Sequence, residues 1–411
     1  VSFFASRWIE APTNASEVPE GGMPLGFRAA GVACGIKPGG ARDLGLIVSD
    51  APQTTSAARF SRSGALSAPV LLTKQRTDLG ALRAVVVNSG NANAATAGRG
   101  LDDAAKMQGA AAIACGVAER AVAVASTGVI GVPLPMDAVT RGTLAAAHEL
   151  RAGGDRDFTA AICTTDAFEK RVTLDVALAA GGVRLSVQAK GAGMISPSFA
   201  TLLVFIQTDA QLSAAECDLL LGVTVKRSFD RISVDGQLST SDTVIMMASG
   251  ASGVAVEPET DDERAFGEVL DAALRQLALM VVRDGEGARR TARVVVRGDE
   301  RVVGRVARSV ADSSLVKTAL YGGDANWGRI IQAVGAALPD RAPLAVDIVI
   351  EGIQVCADGG YRPHDEAALK AAVKRPEVEY EIEIPGEGGV AELFFSDLGH
   401  EYVTINADYT T

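Results

Sequence analysis

The chain has 411 residues, 48% of them hydrophobic and 22% charged, with a formal net charge of −11 at pH 7. That length allows two or three domains around a large core. The acidic balance, with no basic cluster denser than Arg289-Arg290, argues against a nucleic-acid or anionic-membrane surface.

Residues 1–24, rich in Pro, Glu and Gly, read as a loose lead-in without the basic start of a signal segment. Short β-type segments are expected at 44–48, 57–60, 70–72 and 84–88, the last running into the amide-rich turn Asn88-Ser89-Gly90-Asn91. An alanine-rich helix is predicted over 101–118, and a buried strand over 122–126 that leads into Thr127-Gly128. Helices over 136–150 and 157–162 and strands near 171–177 and 182–188 bring the chain to residues 190–204. There Gly191 and Gly193 loosen the backbone, and Pro197 biases Ser196 away from helix. The apolar run 201–206 then reads as a fully buried strand. Ala200-Thr201 therefore sits where a flexible loop meets a rigid sheet.

A helix over 213–223, or as far as 229, comes next, then a strand and turn over 232–237 and a Met- and Ala-rich helix or strand after Thr243. Residues 263–283 carry a 3.6-residue stripe that includes Phe266, Leu270, Leu274 and Leu277, a long buried helix. It stops at Asp284-Gly285-Glu286-Gly287, with glycine in the C-terminal capping role. Strands at 294–296 and 346–350, helical stretches at 307–310, 315–321 and 365–374, and late strands at 378–384, 390–394 and 402–405 complete the chain. The mixture is α/β, with strands often consecutive rather than in strict βαβ order.

Five cysteines without a CxxC pair read as free thiols of a reducing compartment. No apolar run approaches the ~20 residues that span a bilayer, so a cytoplasmic location is expected. His148, His364 and His400 are the only histidines and have no ligand spacing. The chemistry is therefore expected to run without a metal or a Ser-His-Asp triad. Lys190-Gly191-Ala192-Gly193 resembles a phosphate loop only superficially, because a Walker lysine follows the glycines.

Taken alone, Thr201 reads more readily as the first residue of a strand than as a nucleophile. Ser126-Thr127-Gly128 reads as a simple turn or as a strand end whose N–H groups and hydroxyl form an oxyanion hole. Asp284 and Glu286, near a helix C-terminus that disfavours carboxylates, read as a surface turn or as site residues.

Considered together, these motifs resemble the ornithine acetyltransferase family, also known as the ArgJ or glutamate N-acetyltransferase family. The resemblance covers residues 25 to 411. It is carried by Lys190-Gly191-Ala192-Gly193 through Ala200-Thr201-Leu202, by Asn88-Ser89-Gly90-Asn91, and by Ser126-Thr127-Gly128. It continues through Thr164-Thr165-Asp166, Ser239-Thr240-Ser241-Asp242, Asp284-Gly285-Glu286-Gly287, Asn326-Trp327-Gly328-Arg329 and Asn406-Ala407-Asp408. Ser198-Phe199 stand where the family usually has Asn-Met, Ala95 where Cys is frequent, Ala325 where Pro is usual, and Ser241 where Asn is common.

The resemblance implies an α/β fold of the DmpA/ArgJ-like kind, a self-cleaving N-terminal-nucleophile layered sandwich with a second α/β domain. It implies cleavage between Ala200 and Thr201 into an α chain, 25–200, and a β chain, 201–411, whose C-terminal subdomain begins about residue 290. Thr201 is then the nucleophile, and its freed α-amine, with an unperturbed pKa of about 7.7–8, is its base. Thr127 and Gly128 hold the oxyanion. Thr164, Lys190, Thr201, Glu286, Asn406 and Thr411 contact substrate.

The implied reaction moves acetyl from N-acetylornithine to glutamate through acetyl-Thr201, with no cofactor, and leaves open acetyl-CoA as a second donor. The implied assembly is α2β2. Two rivals are a self-processing N-terminal-threonine amidohydrolase or aminopeptidase, which passes the acyl group to water, and a non-catalytic metabolite-binding homologue.

Overall fold

In the computed structural model, which describes residues 2–196 and 202–408, three sheets organise the chain. The first has six strands in the order Ala15–Glu17, Lys170–Leu178, Gly181–Lys190, Leu203–Thr208, Thr243–Ala248 and Thr55–Phe60. The second has four, Phe27–Val32, Leu44–Ser49, Ala84–Asn91 and Val122–Val129. They lie face to face.

Side-chain alternation shows how. Leu203, Phe205, Ile245 and Met247 point into one core with Val85, Val87, Ala123 and Ala125 of the second sheet. Their neighbours Val204, Ile206, Val244 and Met246 share the opposite core with Leu221, Leu270 and Leu274, from the helices Ala214–Arg227 and Asp261–Arg283. On the far side of the second sheet, Leu46, Val86 and Val124 meet Ala104, Met107 and Val139 from the helices Ala97–Cys115 and Met136–His148. The result is a helix–sheet–sheet–helix sandwich. A strand in its interior is covered on both faces, which is why residues 203–208 form an unbroken buried run.

The third sheet has seven strands, among them Thr291–Asp299, Glu377–Glu383 and Gly388–Ser396, covered by helices that include Val303–Ala311 and Trp327–Ala337. Ile232–Ser233 joins its edge in parallel with Phe394-Phe395 and so ties this second α/β unit to the sandwich. The mixed α/β architecture with a second α/β unit agrees with the sequence reading.

Several local expectations need correction. Residues 70–72 belong to the helix Ala68–Arg76, which starts after Ser67 with a proline in its first turn. Three apolar residues are too few to separate a period of 2 from one of 3.6. The helix expected over 101–118 runs Ala97–Cys115 and ends where Gly116 turns left-handed at φ 65°. The Met- and Ala-rich segment after residue 242 is the strand Thr243–Ala248.

The cap of Asp261–Arg283 is Asp284, at φ −86° and ψ 6°, rather than a glycine. Gly285 is small for another reason, since a Cβ there would lie 3.1 Å from Ser396. Residues 402–405 lie in the helix His400–Asp408, not a strand, and Trp327–Ala337 is a helix not foreseen at all. Residues 2–24, read as a loose lead-in, bury Ile9 and Met23 and pair Ala15–Glu17 with residues 174–176.

Candidate functional site

Two parallel strand ends open the site. Ala84–Asn91 and Val122–Val129 run in register, Ser89 beside Thr127 and Gly90 beside Gly128, until the register shifts at Asn91. Gly128 has φ 131°, and a Cβ there would lie 2.4 Å from Gly90 C and 2.5 Å from Asn91 N. Only glycine permits that approach. The turn is fixed by side-chain amides, with Ser126 Oγ donating to Asn88 Oδ1 at 2.5 Å and Asn88 Nδ2 donating to Asn91 O at 2.8 Å.

Thr127, Gly128, Thr164, Lys190, Glu286 and Asn406 all line one cavity of about 220 Å³. Ala200, Thr201 and Thr411 lie outside the described residues. No histidine lines the cavity. A larger open groove of about 660 Å³ beside Asn14, Asp175 and Arg184 contains none of the residues singled out from sequence.

Lys190 ends the strand Gly181–Lys190 and is 2% exposed. Its Nζ donates to Thr127 Oγ1 at 3.4 Å, a long contact for an ammonium with three N–H groups. An anion entering the cavity would find this donor facing it. In the same cavity, Glu286 Oε2 accepts from Asn406 Nδ2 at 2.6 Å, and its backbone N–H donates to Ala192 O at 3.1 Å. A Cβ on Gly193 would sit 2.8 Å from the Glu286 carboxylate, so that glycine makes room for it. The cavity thus carries a lysine, a glutamate and a glycine-opened strand end.

Behind it lies a buried ion cluster. Lys170 Nζ donates to Asp166 Oδ1 at 2.7 Å and to Asp284 Oδ2 at 2.5 Å. Burial alone would raise the Asp166 carboxyl, but the Lys170 and Lys190 ammonium groups overcome it and hold the acid well below the usual carboxylate range. Burial would lower Lys170, and its two carboxylate partners more than restore it.

Asp235 is a second hub. Its Oδ2 accepts from Met194 N–H at 2.7 Å and from Tyr402 Oη–H at 3.3 Å, and its Oδ1 from Ile195 N–H at 2.9 Å. The N–H groups of Val234, Asp235 and Gly236 in turn converge on Ile195 O at 2.9, 3.3 and 3.1 Å. The segment before residue 197 is therefore pinned from both its N–H and C=O sides. Just after residue 201, Leu202 N–H donates to Asp242 Oδ1 at 3.0 Å. Asp242 is 1% exposed, and burial pushes its carboxyl up to about 7 despite the bond from Leu202 and the Ser239 and Ser61 hydroxyls beside it.

Sequence reasoning missed Lys170, Asp235 and Tyr402 as parts of this site. Asp235-Gly236 after a short strand, and a tyrosine four residues before Asn406, were the available signals. Among the described residues, no group of three or more His, Cys, Asp or Glu is placed to hold a metal ion, and no helix is long and apolar enough to cross a membrane. All five cysteines are free thiols.

With this geometry in hand, comparison with known proteins gives concordant relatives. The ArgJ family model matches residues 28–411. The arginine biosynthesis bifunctional protein ArgJ of Symbiobacterium thermophilum is 41% identical over 393 residues, 94% of this chain and 98% of that protein. The protein of the same name from Geobacter sulfurreducens is 40% identical over 390 residues, 94% of this chain and 99% of that one. Among solved structures, the ornithine acetyltransferase of Mycobacterium tuberculosis in complex with ornithine is 40% identical, with a TM-score of 0.42 over 45% of this chain and 98% of that chain.

Proposed function

The chain belongs to the ArgJ family, and on that premise we propose that it transfers acetyl from N-acetylornithine to glutamate through an acetyl-Thr201 intermediate. The observation that carries this reading is one cavity lined by Lys190, Glu286 and Thr127-Gly128. An N2-acetylated diamino acid has a carboxylate and an acylated nitrogen on the same carbon and a free ammonium at the end of its side chain. Lys190 receives the carboxylate, Glu286 the ammonium, and the Thr127-Gly128 turn the oxygen that becomes anionic.

Processing comes first. The Thr201 hydroxyl adds to the Ala200 carbonyl carbon, the peptide C–N bond breaks, and the acyl group passes from nitrogen to oxygen. Water then hydrolyses the ester, leaving Ala200 as a carboxylate and Thr201 with a free amine and hydroxyl. In transfer, that amine takes the hydroxyl proton as Oγ attacks the acetyl carbonyl. The tetrahedral oxyanion collapses, and ornithine leaves after its nitrogen takes the proton back. Glutamate's neutral amine attacks acetyl-Thr201 by the same steps reversed. The two chains from one precursor pair as α2β2, and acetyl-CoA is the second donor to assay.

Incubation with N-acetylornithine, with and without glutamate, tests the reading. The expected result is a 201–411 chain one acetyl group heavier without acceptor, and fast ornithine release only when glutamate is present. Equally fast acetate release without glutamate would indicate an amidohydrolase instead.

A further inference from the structure

We infer that Asp166, Lys170 and Asp284 are positioning residues that help set the spacing between Lys190 and Glu286 in the cavity, and thereby the length of diamino acid it accepts. The inference rests on the donor chemistry proposed above.

The cluster is dry. Side-chain exposure is 0% for Lys170, 1% for Asp166 and 3% for Asp284. Such a buried ion cluster is weak evidence of stability, because desolvation offsets most of the attraction and apolar residues of like volume would serve as well. Directionality is what the apolar alternative would lack.

All three Lys170 N–H groups have acceptors, namely Asp166 Oδ1, Asp284 Oδ2 and, at 3.4 Å, Phe168 O. Asp166 also accepts from Thr164 N–H at 2.9 Å and from Gly191 N–H at 2.8 Å. Asp284 accepts from Ala167 N–H at 3.0 Å. Lys170 is 0% exposed, and the two carboxylates it meets at short distance accept from backbone N–H groups, so the cluster holds backbone rather than substrate.

What it holds is informative. The bonds run to three segments, and each contributes to the cavity lining. Thr164 is bonded directly, Lys190 immediately precedes Gly191, and Glu286 lies two residues beyond Asp284. Lys190 and Glu286 reach the cavity from a strand end and a helix end far apart in the chain, yet both are referenced to one buried ammonium. Beyond the sheet that carries Lys190 and the packed helix that precedes Glu286, this cluster and the backbone bond from Glu286 N–H to Ala192 O tie the two segments to each other. A donor with one methylene more or fewer than ornithine would misplace either its carboxylate or its ammonium. A rigid site can discriminate about 10–200-fold on that basis.

The test compares kcat/KM for the N-acetyl derivatives of 2,4-diaminobutyrate, ornithine and lysine, with glutamate as acceptor. It uses the unsubstituted protein, Asp284→Asn and Lys170→Arg. Asp284→Asn keeps the Asp166–Lys170 pair and an oxygen for Ala167 N–H. Lys170→Arg keeps every charge but lengthens the bridge, and it carries the test should Asp284→Asn fail to fold.

The expected result is fully processed, cooperatively melting variants whose preference for the ornithine derivative over its homologues falls about tenfold or more, mainly through KM. A folded variant that loses activity equally toward all three donors, with the preference unchanged, would overturn the inference and leave the proposed function standing. Absence of turnover by the unsubstituted protein with all three donors would overturn both.

Discussion

Asp242→Asn tests the burial of charge beside the residue that follows Thr201. Burial lets the Asp242 carboxyl keep its proton up to about pH 7, whereas in an unfolded chain it is lost near pH ~4. The folded state therefore binds this proton more tightly than the unfolded state. The resulting stabilisation is full below about pH 4, declines as pH rises toward 7 and is gone above that.

Each pH unit in that window is worth about 1.4 kcal/mol, so the complete window amounts to about 4 kcal/mol. Asparagine resembles the protonated carboxyl in size and keeps an oxygen for Leu202 N–H, so it removes the titration without emptying the site. The assay is urea unfolding at pH 5 and pH 8 in a Thr201→Ala background, expected to remain one chain. Going from pH 5 to pH 8, the unsubstituted Asp242 protein should lose about 3 kcal/mol more than Asp242→Asn. Equal losses in both proteins would refute the reasoning.

Three other outcomes follow from the site. Gly128→Ala brings a methyl group within 2.4 Å of Gly90, and if the proposed oxyanion donors shift with it, steady-state assays should show kcat lowered by roughly 10²–10³. Glu286→Gln retains an acceptor for Asn406 but removes the charge proposed to meet the donor ammonium; KM for N-acetylornithine should rise about 10–100-fold, and an unchanged KM would place the ammonium elsewhere. Trimming Thr410-Thr411 should lower transfer while gel electrophoresis still shows complete cleavage, and unaltered kinetics would separate the C-terminus from the cavity.

The strands of the sandwich were legible because they are hydrophobic on both faces, whereas the layering itself came only from the family resemblance. Val85, Val86 and Val87 read as strand whichever core each one enters. The helix that carries Tyr402 and Asn406 was not legible. Val403-Thr404-Ile405 favours a strand by local propensity, and what makes it helical is tertiary. Tyr402 reaches Asp235, while Asn406, one turn on, donates to Glu286 and to Tyr402 O at 2.9 Å.

Thr127, Gly128, Thr164, Lys190, Glu286 and Asn406 could be named from ordered motifs, and they meet in one cavity. Lys170 could not. It reads as an ordinary strand-edge lysine, and only the fold places Asp284, 114 residues later, against its ammonium. Asp235 escaped for a similar reason, since its partners Met194, Ile195 and Tyr402 come from segments far from it in sequence.

The most direct test of the central claim, a hydroxyl that frees its own base by cutting the backbone, is N-terminal sequencing of the mature preparation. A second N-terminus that reads Thr201-Leu202-Leu203-Val204 is expected, absent from the Thr201→Ala variant. A single intact chain that nonetheless transfers acetyl would contradict it.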